Sequence, residues 1–437
     1  MAQKIANRGK IVIAAGTGIN LALGVLYTWS IFKGAIKQSI EEGGANAFNW
    51  DLAALNDPYA VCCLVFAFTM IIAGRCQDKF GPRITAIIGG ALVGAGFVWI
   101  SQTTSYIHWV MAFGILVGAG IAFGYSSATP AALKWFPPNK TGIIAGIVVS
   151  GFGLASVYIA PLAKYLLLNW GLQNAMLFFG IAFFIVVSLL ALLLTNPPEG
   201  YVPTGFVERR DQSENNVKAR AAIAEKNIAP GKMVKTSTFW LLWLLYFIGA
   251  GAGLMVIGSV AGMAQKSMGD SAFLAVAILA IGNAGGRIAA GFISDKIGRS
   301  LTMAGMFSFQ ALLMFIAVPI INSTNTSSAV LLVLLATLIG FNYGANLALF
   351  PSFAKDLFGI KNFGVNYGIL FTAWGVGGFV MSKASQSLMV QTGNYGTSFQ
   401  AAGILLVIGV CLSFLLSDEK AIQRRALRRL AAQSNAA

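Results

Sequence analysis

The sequence predicts an all-α, polytopic membrane protein with twelve transmembrane helices in two six-helix bundles. Three observations support this prediction: the composition, the lengths of the apolar stretches and an internal repeat. Hydrophobic residues make up 57% of the 437-residue chain and charged residues only 10%, whereas a soluble domain carries about 25% charged residues. The 50 glycines are typical of close helix contacts in a membrane, and a transmembrane β-barrel would show short alternating segments instead.

Each predicted span is an apolar stretch of about 20 residues or more, which is the length that a helix needs to cross a bilayer. The stretches cover residues 11–34, 57–76, 84–103, 107–130, 141–168, 173–195, 238–263, 272–294, 301–321, 328–351, 364–386 and 397–417. We therefore expect an N-terminal bundle (1–195), a polar linker (196–237) and a C-terminal bundle with a basic tail (238–437). A short amphipathic helix is expected near 213–227.

Basic residues are concentrated on one side of the predicted bundles. The net charge of +15 invites a nucleic-acid interpretation, but most lysines and arginines lie in the termini, the linker and the loops on that same side. The exceptions outside the bilayer are Lys33, Lys37, Lys164, Lys266 and Lys383. Because basic loops stay in the cytoplasm, we expect a multi-pass protein of the cell (inner or plasma) membrane with both termini cytoplasmic. No nucleic-acid partner is expected, and the basic tail could bind anionic lipid.

One motif occurs at corresponding places in both halves. Gly-x-x-x-Asp-Lys-x-Gly follows the second span as residues 74–81 and the eighth span as residues 291–298. The pair resembles the loop signature of the major facilitator superfamily, whose two halves are parallel six-helix repeats. A gate at these loops would use an aspartate that accepts hydrogen bonds from a neighbouring helix N-terminus and basic residues that form breakable ion pairs. The candidate gating or structural residues are Asp78, Arg83, Asp295 and Arg299, and a topology determinant with a tight turn is the alternative interpretation.

Arg287 lies deeper in an apolar span than any other charge. Eight residues separate it from Asp295, which corresponds to about 12 Å of helix, and a guanidinium at such depth costs about 3 kcal/mol or more. All 15 acidic residues fall in loops or at segment ends, so the sequence offers no carboxylate partner within the bilayer. A guanidinium pairs bidentately with carboxylate. We therefore expect Arg287 to bind an anionic substrate, the alternative being an arginine held by backbone carbonyls.

Several runs resemble the oxalate/formate antiporter family of that superfamily, which also includes bacterial monocarboxylate transporters. The matching runs are Gly24-Val-Leu-Tyr27-Thr-Trp29-Ser, Asp78-Lys-Phe-Gly-Pro-Arg83, Tyr125 with Lys134-Trp-Phe-Pro137, Asn196-Pro-Pro-Glu-Gly-Tyr201, Asn283-Ala-Gly-Gly-Arg287, Ser294-Asp-Lys-Ile-Gly-Arg299, Leu349-Phe-Pro351 and Asn366-Tyr-Gly368. The resemblance covers all twelve spans and implies a central anion site with Arg287 as its main charge. Residues that match the family's aromatic cage are Tyr27, Tyr125, Phe152 and Tyr343.

Trp374 departs from the family pattern, because the oxalate exchangers of the family carry a lysine at this position. One cation suits a monoanion, and a dicarboxylate would leave a desolvated charge without a partner. We therefore expect a monocarboxylate such as lactate, pyruvate or formate, with an oxalate/formate-type antiporter as the alternative. Trp374 itself would supply an apolar wall of the site.

Asn283 bears on the coupling mechanism. It precedes Arg287 by one helical turn, on the same face, and could orient the guanidinium or bind the ligand. The animal monocarboxylate transporters have an aspartate there that is thought to carry the proton. Because asparagine does not titrate, anion exchange follows more naturally. Proton symport remains open, with the proton on the substrate or on a rim acid such as Asp57.

Other classes of function lack their sequence signals. The apolar segments hold no convergent catalytic groups, no ATP-binding motif is present, and the four cysteines lack metal or redox spacing. Neither an enzyme nor a cofactor or metal is expected. A transporter-like carboxylate sensor would need a signalling domain larger than the linker, and the paired gate motif disfavours a channel. The expected partners are a small carboxylate, the lipid bilayer and, where symport applies, a proton; the protein is expected to be a monomer.

Overall fold

The computed structural model describes residues 2–44, 47–137, 140–198, 201, 227–258, 263–264, 268–321, 327–359 and 361–416. Within these residues, eleven helices are long and apolar enough to cross a membrane. One of them, Thr141–Ala191, bends at Gly171, where φ is 75°, and it supplies two of the predicted spans. The described helices therefore account for all twelve expected spans.

We number the spans α1 to α12 in chain order. In the N-terminal half, α1 is Ala2–Leu23 continued by Trp29–Glu42, α2 is Asp57–Phe80, α3 is Pro82–Ile100, α4 is Tyr106–Leu133, and α5 and α6 are residues 141–170 and 172–191. In the C-terminal half, α7 is Ser237–Ile257, α8 is Ala272–Ile297, α9 is Arg299–Ile321, α10 is Ser327–Phe358, α11 is Phe363–Thr392 and α12 is Gly396–Ser413.

Several helices extend beyond the apolar stretches that predicted them. Helix α1 continues to Glu42 and α10 to Phe358, because backbone hydrogen bonds continue into the polar interface, whereas hydropathy marks only the part inside the hydrocarbon. A short helix also forms at Pro230–Met233. The amphipathic helix expected near 213–227 lies outside the described residues apart from Asn227, and so does the basic tail.

Two helices of the N-terminal half are locally irregular. Helix α1 is interrupted by a 3-10 turn at Gly24–Thr28, and α4 contains a π-helical segment at Val110–Val117. Such departures within a long helix often mark functional positions. In α1 the turn brings the backbone against α5, since a Cβ at Gly24 would lie against Ala155 and the Phe152 carbonyl. This close approach holds Tyr27 beside Phe152.

The two halves meet through glycine-mediated contacts of α2 with α11 and of α5 with α8. A Cβ at Gly74 would contact the Gly364 carbonyl, and one at Gly291 would contact the Gly142 carbonyl. Further along α5, a Cβ at Gly146 would lie 2.6 Å from the Arg287 carbonyl. Small residues allow such close helix contacts in membranes. The packing places the middle of α8 directly against the N-terminal half.

Candidate functional site

Arg287 is completely buried where α8 faces the N-terminal half. Its Nε donates to Oδ1 of Asn283 at 2.9 Å, Nη1 donates to the carbonyl of Val149 in α5, and Nη2 lies 3.4 Å from the Tyr27 hydroxyl. All of these acceptors are neutral, and Arg287 forms no ion pair among the described residues. The guanidinium therefore joins the two halves, and no described carboxylate is paired with it.

A chain of hydrogen bonds leads from Arg287 across the centre of the molecule. The hydroxyls of Tyr27 and Tyr343 are 2.5 Å apart, and Trp374 Nε1 donates to the Tyr343 hydroxyl at 2.8 Å. Only one phenolic proton can lie between the two oxygens. The other is therefore available to a ligand, and Asn283 Nδ2 is a second buried donor for which the described residues provide no acceptor.

Aromatic rings form the walls beside these polar groups. The Phe152 ring lies 5.9 Å from the Arg287 guanidinium carbon, a cation–π contact, and packs edge-on against Tyr27 at 5.0 Å. Tyr125 packs edge-on against Phe152 at 5.5 Å. Such rings exclude water, and a charge–carboxylate interaction is stronger in the resulting low-dielectric site.

The geometry suits a small anion. A carboxylate that displaced the long Arg287–Tyr27 contact could accept from Nη2 of the guanidinium, from a phenol and from the free amide group of Asn283. Charge-assisted hydrogen bonds of this kind are about twice as strong as neutral ones. The structure thus brings together six of the predicted site residues, and Tyr125 joins them through its contact with Phe152.

On the linker side of the molecule, the two repeated aspartates occupy equivalent positions. Asp295 accepts from the backbone N–H groups of Gly142 and Ile143, at 3.3 and 3.1 Å, at the start of α5. The carboxylate of Asp78 lies against the start of α11, where a Cβ at Gly364 would be 2.9 Å from each of its oxygens. Each aspartate therefore lies at a helix N-terminus of the opposite half, where the helix dipole favours negative charge.

The last glycine of each motif lies three residues after the aspartate because the helix ends there. Gly81 and Gly298 end α2 and α8 with φ of 82° and 104°, a region that L-residues with a side chain rarely adopt. The turn at each glycine ends the helix just after the aspartate and directs the chain into the next span. The sequence alone shows only the spacing.

The basic residues of the two motifs differ in their partners. Arg299 forms ion pairs with Asp295 at 2.6 Å and with Asp356 at 3.0 Å. Arg83 instead donates to the Leu192 carbonyl at 2.9 Å, at the end of α6.

Lys134 is the basic residue close to Asp78. Burial lowers the pKa of Lys134, whereas the nearby carboxylate of Asp78 raises it.

The opposite side of the molecule holds another contact between the halves. Lys383 of α11 pairs with Asp57 at the start of α2, at 2.7 Å, and the Tyr106 hydroxyl donates to the same carboxyl group at 2.9 Å. Both ion-pair partners are partly exposed, so this bond is weaker than a buried one. The halves are therefore joined on both sides of the Arg287 site.

Several contacts could not be read from the sequence. Val149 contributes a backbone carbonyl, which carries no sequence signal, and Asp356 was hidden by a predicted span that ended at 351. Phe66 and Phe371 also border the site, with rings 5.2 and 4.9 Å from Trp374, but they are two among 31 phenylalanines. No group of His, Cys, Asp and Glu in the described part of the chain could hold a metal ion.

The sequence profile of the Major Facilitator Superfamily matches residues 12–382. The fold and the profile together define the class: the chain belongs to the Major Facilitator Superfamily. The superfamily fold is also found in solved structures similar to this one, which confirms the predicted twelve-helix architecture. The human organic anion transporter MFSD10 (TETRAN) has a TM-score of 0.66 at 14% identity and covers 93% of this chain and 99% of that one. The proton:xylose symporter XylE has a TM-score of 0.69 at 15% identity and covers 97% and 99%.

Curated relatives are similar over most of their length. The oxalate:formate antiporter of Oxalobacter formigenes is 29% identical over 377 residues, which cover 84% of this chain and 82% of that protein. The uncharacterized MFS-type transporter YhjX of Escherichia coli (strain K12) is 27% identical over 362 residues, which cover 82% of this chain and 82% of that protein. Monocarboxylate transporter 13 of Rattus norvegicus is 25% identical and covers 91% of this chain and 86% of that one. The resemblance to this part of the superfamily is therefore confirmed, at modest identity.

Proposed function

We propose that this protein is a secondary active transporter of small monocarboxylate anions that works by alternating access around Arg287. The observation that carries the proposal is a fully buried guanidinium at the contact between the two halves, whose partners among the described residues are all neutral. An uncompensated charge in that environment is costly, and a transported anion would compensate it. The names of the oxalate:formate antiporter and the monocarboxylate transporters support the same class of substrate.

The charge balance of the site favours a monoanion. The side chains around Arg287 are neutral, and Trp374 adds a single N–H that is already bound to Tyr343. A dianion would bury a second negative charge without a cationic partner. Lactate, pyruvate and formate fit this balance, and an oxalate/formate-type antiporter is the alternative within the same fold.

Alternating access requires contacts that form on one side and break on the other. The positions of Asp78 and Asp295 at helix N-termini of the opposite half support a gate on the linker side, together with the two ion pairs of Arg299. The Asp57–Lys383 pair supports a gate on the other side. Arg83, bound to a carbonyl of α6, has a structural role in this scheme.

Anion exchange and proton symport are both compatible with this site. Asn283 cannot titrate, so exchange needs no further residue, whereas symport needs the proton on the substrate or on a rim acid such as Asp57. The two mechanisms differ in whether a pH gradient drives uptake into empty vesicles. A carboxylate sensor with the same site would bind substrate without moving it, so the flux measurement separates this class as well.

The distribution of basic residues supports an orientation with both termini in the cytoplasm of the cell membrane. Because one chain supplies both halves and all the site residues, a monomer suffices for transport. Site-directed labelling of a cysteine introduced in the 196–237 linker, in intact cells and in inverted vesicles, tests the orientation. Labelling from outside the cell would contradict it.

The substrate class can be tested by ligand-induced thermal stabilisation of the detergent-solubilised protein. A ligand that binds only the folded protein raises its melting temperature by mass action. We expect lactate, pyruvate or formate to stabilise the protein and oxalate to do so less at equal concentration. Stronger stabilisation by oxalate would contradict the argument from Trp374, and no stabilisation by any carboxylate would contradict the proposed function.

A further inference from the structure

Three further tyrosines form a cluster on the linker side of the Arg287 site. They are Tyr125 of α4, Tyr246 of α7 and Tyr367 of α11, and their rings surround Phe371 with centroid distances of 5.7, 6.0 and 5.7 Å. Tyr125 comes from the N-terminal half and the other two from the C-terminal half. The three hydroxyls are close enough to interact with one another. We call this group the tyrosine cluster.

The hydroxyls of the cluster are buried, and none forms a well-aligned hydrogen bond with the described residues. The rings themselves are firmly held. Tyr246 stacks on Phe350 at 3.9 Å, and Tyr367 stacks on Phe363 at 5.7 Å. Tyr367 is near both Tyr125 and Tyr246, and two such contacts can use at most two of the three phenolic protons. At least one buried donor is therefore left without an acceptor among these groups, which is unfavourable. Because the rings are held in place, this indicates that something else binds there.

The position of the cluster suggests what that is. Tyr367 lies about one turn from the linker-side end of its helix, while Tyr125 and Tyr246 lie about two to two and a half turns from theirs. Arg287 and Tyr343 lie deeper, at about three and four turns. Tyr125 connects the two levels, since it packs against Phe152 of the central site and interacts electrostatically with Arg287. The cluster therefore lies between Arg287 and the linker-side gate.

From this arrangement we infer that the tyrosine cluster is a second binding station for the carboxylate, used between Arg287 and the linker-side opening. The inference rests on the proposed function. Phenols donate hydrogen bonds to a carboxylate without adding a positive charge, so the station would hold the anion more weakly than Arg287 does. Weak binding is suited to a release step, because a substrate held tightly there would not leave.

Tyr246→Phe and Tyr367→Phe test the station, singly and together. Each change removes one hydroxyl and keeps the stacked ring, so the melting temperature without ligand should stay the same or rise. Neither hydroxyl touches Arg287. In proteoliposomes loaded with unlabelled lactate, we expect entry of radiolabelled lactate to slow by about fivefold for each variant, as for the loss of one hydrogen bond. The apparent affinity of the central site for lactate, obtained from lactate-induced thermal stabilisation, should change by less than about twofold.

Tyr165→Phe is the matched control, because this α5 tyrosine is 60% exposed and its rate should equal that of the wild type. Wild-type exchange rates in Tyr246→Phe, Tyr367→Phe and the double variant would overturn the station. If a variant lost apparent lactate affinity by the same factor as exchange rate, the station would also be overturned, because the hydroxyls would then belong to the central site. A wild-type protein that neither binds nor exchanges carboxylates would overturn the proposed function, and the station with it.

Discussion

Arg287 is held by three neutral neighbours, and each has a different role. The Val149 carbonyl anchors the guanidinium to the opposite half, Asn283 fixes its plane through Nε, and Tyr27 makes the long contact that an anion can replace. A carboxylate at position 283 would neutralise the arginine permanently. Asparagine at that position orients the guanidinium and leaves its charge available, which links this one residue to the mechanism of coupling.

The neutrality of Asn283 favours anion exchange over proton symport as the coupling mode of the proposed transporter. Without a proton carrier beside it, an empty Arg287 site keeps an uncompensated charge that resists passage through the low-dielectric barrier. We expect radiolabelled lactate to enter proteoliposomes loaded with unlabelled lactate, but not empty ones, even with an inward proton gradient. Vesicles without protein are the control. Gradient-driven uptake into empty vesicles would show symport and would contradict obligatory exchange.

At the level of helices, glycine sets how closely the spans approach. Helices α8 and α10 touch where a Cβ at Gly286 would meet the Phe341 carbonyl, and Gly344 meets the Asn283 carbonyl in the same way. Both contacts lie within one turn of Arg287 or Asn283 along the chain. The close packing of α8 on α10 therefore fixes the height and direction of the site arginine relative to Tyr343.

Gly286→Ala should therefore destabilise the protein. The obstructing atom belongs to the backbone, so it can move only if a helix moves, and overpacking of this kind costs about 1–3 kcal/mol. Gly305→Ala is the control, because a Cβ there would contact nothing within 4 Å and alanine favours helix. Thermal unfolding in detergent should show a lower melting temperature for Gly286→Ala only. Equal melting temperatures would contradict the close approach of α8 and α10.

At the level of the whole molecule, the two halves are joined on both sides of a buried charge. On the linker side, Asp78 and Asp295 lie at helix N-termini of the opposite half, and on the other side Asp57 pairs with Lys383. In the proposed alternating-access cycle, a rocking motion breaks one set of contacts while the other holds. The side chains of Arg299 and Asp295 are 10% and 15% exposed, whereas those of Lys383 and Asp57 are 51% and 22% exposed. We therefore expect the Asp57–Lys383 pair to be easier to break than the Arg299–Asp295 pair.

The sequence was sufficient to predict the architecture and the central charge. Apolar length and the repeated motif predict twelve spans in two halves, and Arg287 is conspicuous because a lone charge in an apolar helix is expensive. The partners of Arg287 were harder to predict. A backbone acceptor such as Val149 has no residue signature, and Tyr246 and Tyr367 resemble ordinary aromatic packing until the structure brings their rings around Phe371. Contacts between distant helices depend on tertiary packing, which local sequence patterns do not specify.

The most direct test of the account is carboxylate exchange by reconstituted Arg287→Lys and Arg287→Ala proteins beside the wild type. Lysine keeps the charge but loses the planar fork, and alanine loses both. Removing hydrogen bonds to a charged group should reduce lactate exchange by about ten- to hundredfold or more, while size-exclusion elution and the ligand-free melting temperature show that both variants remain folded. If folded Arg287→Ala protein exchanged lactate at the wild-type rate, the central role of Arg287 would be contradicted.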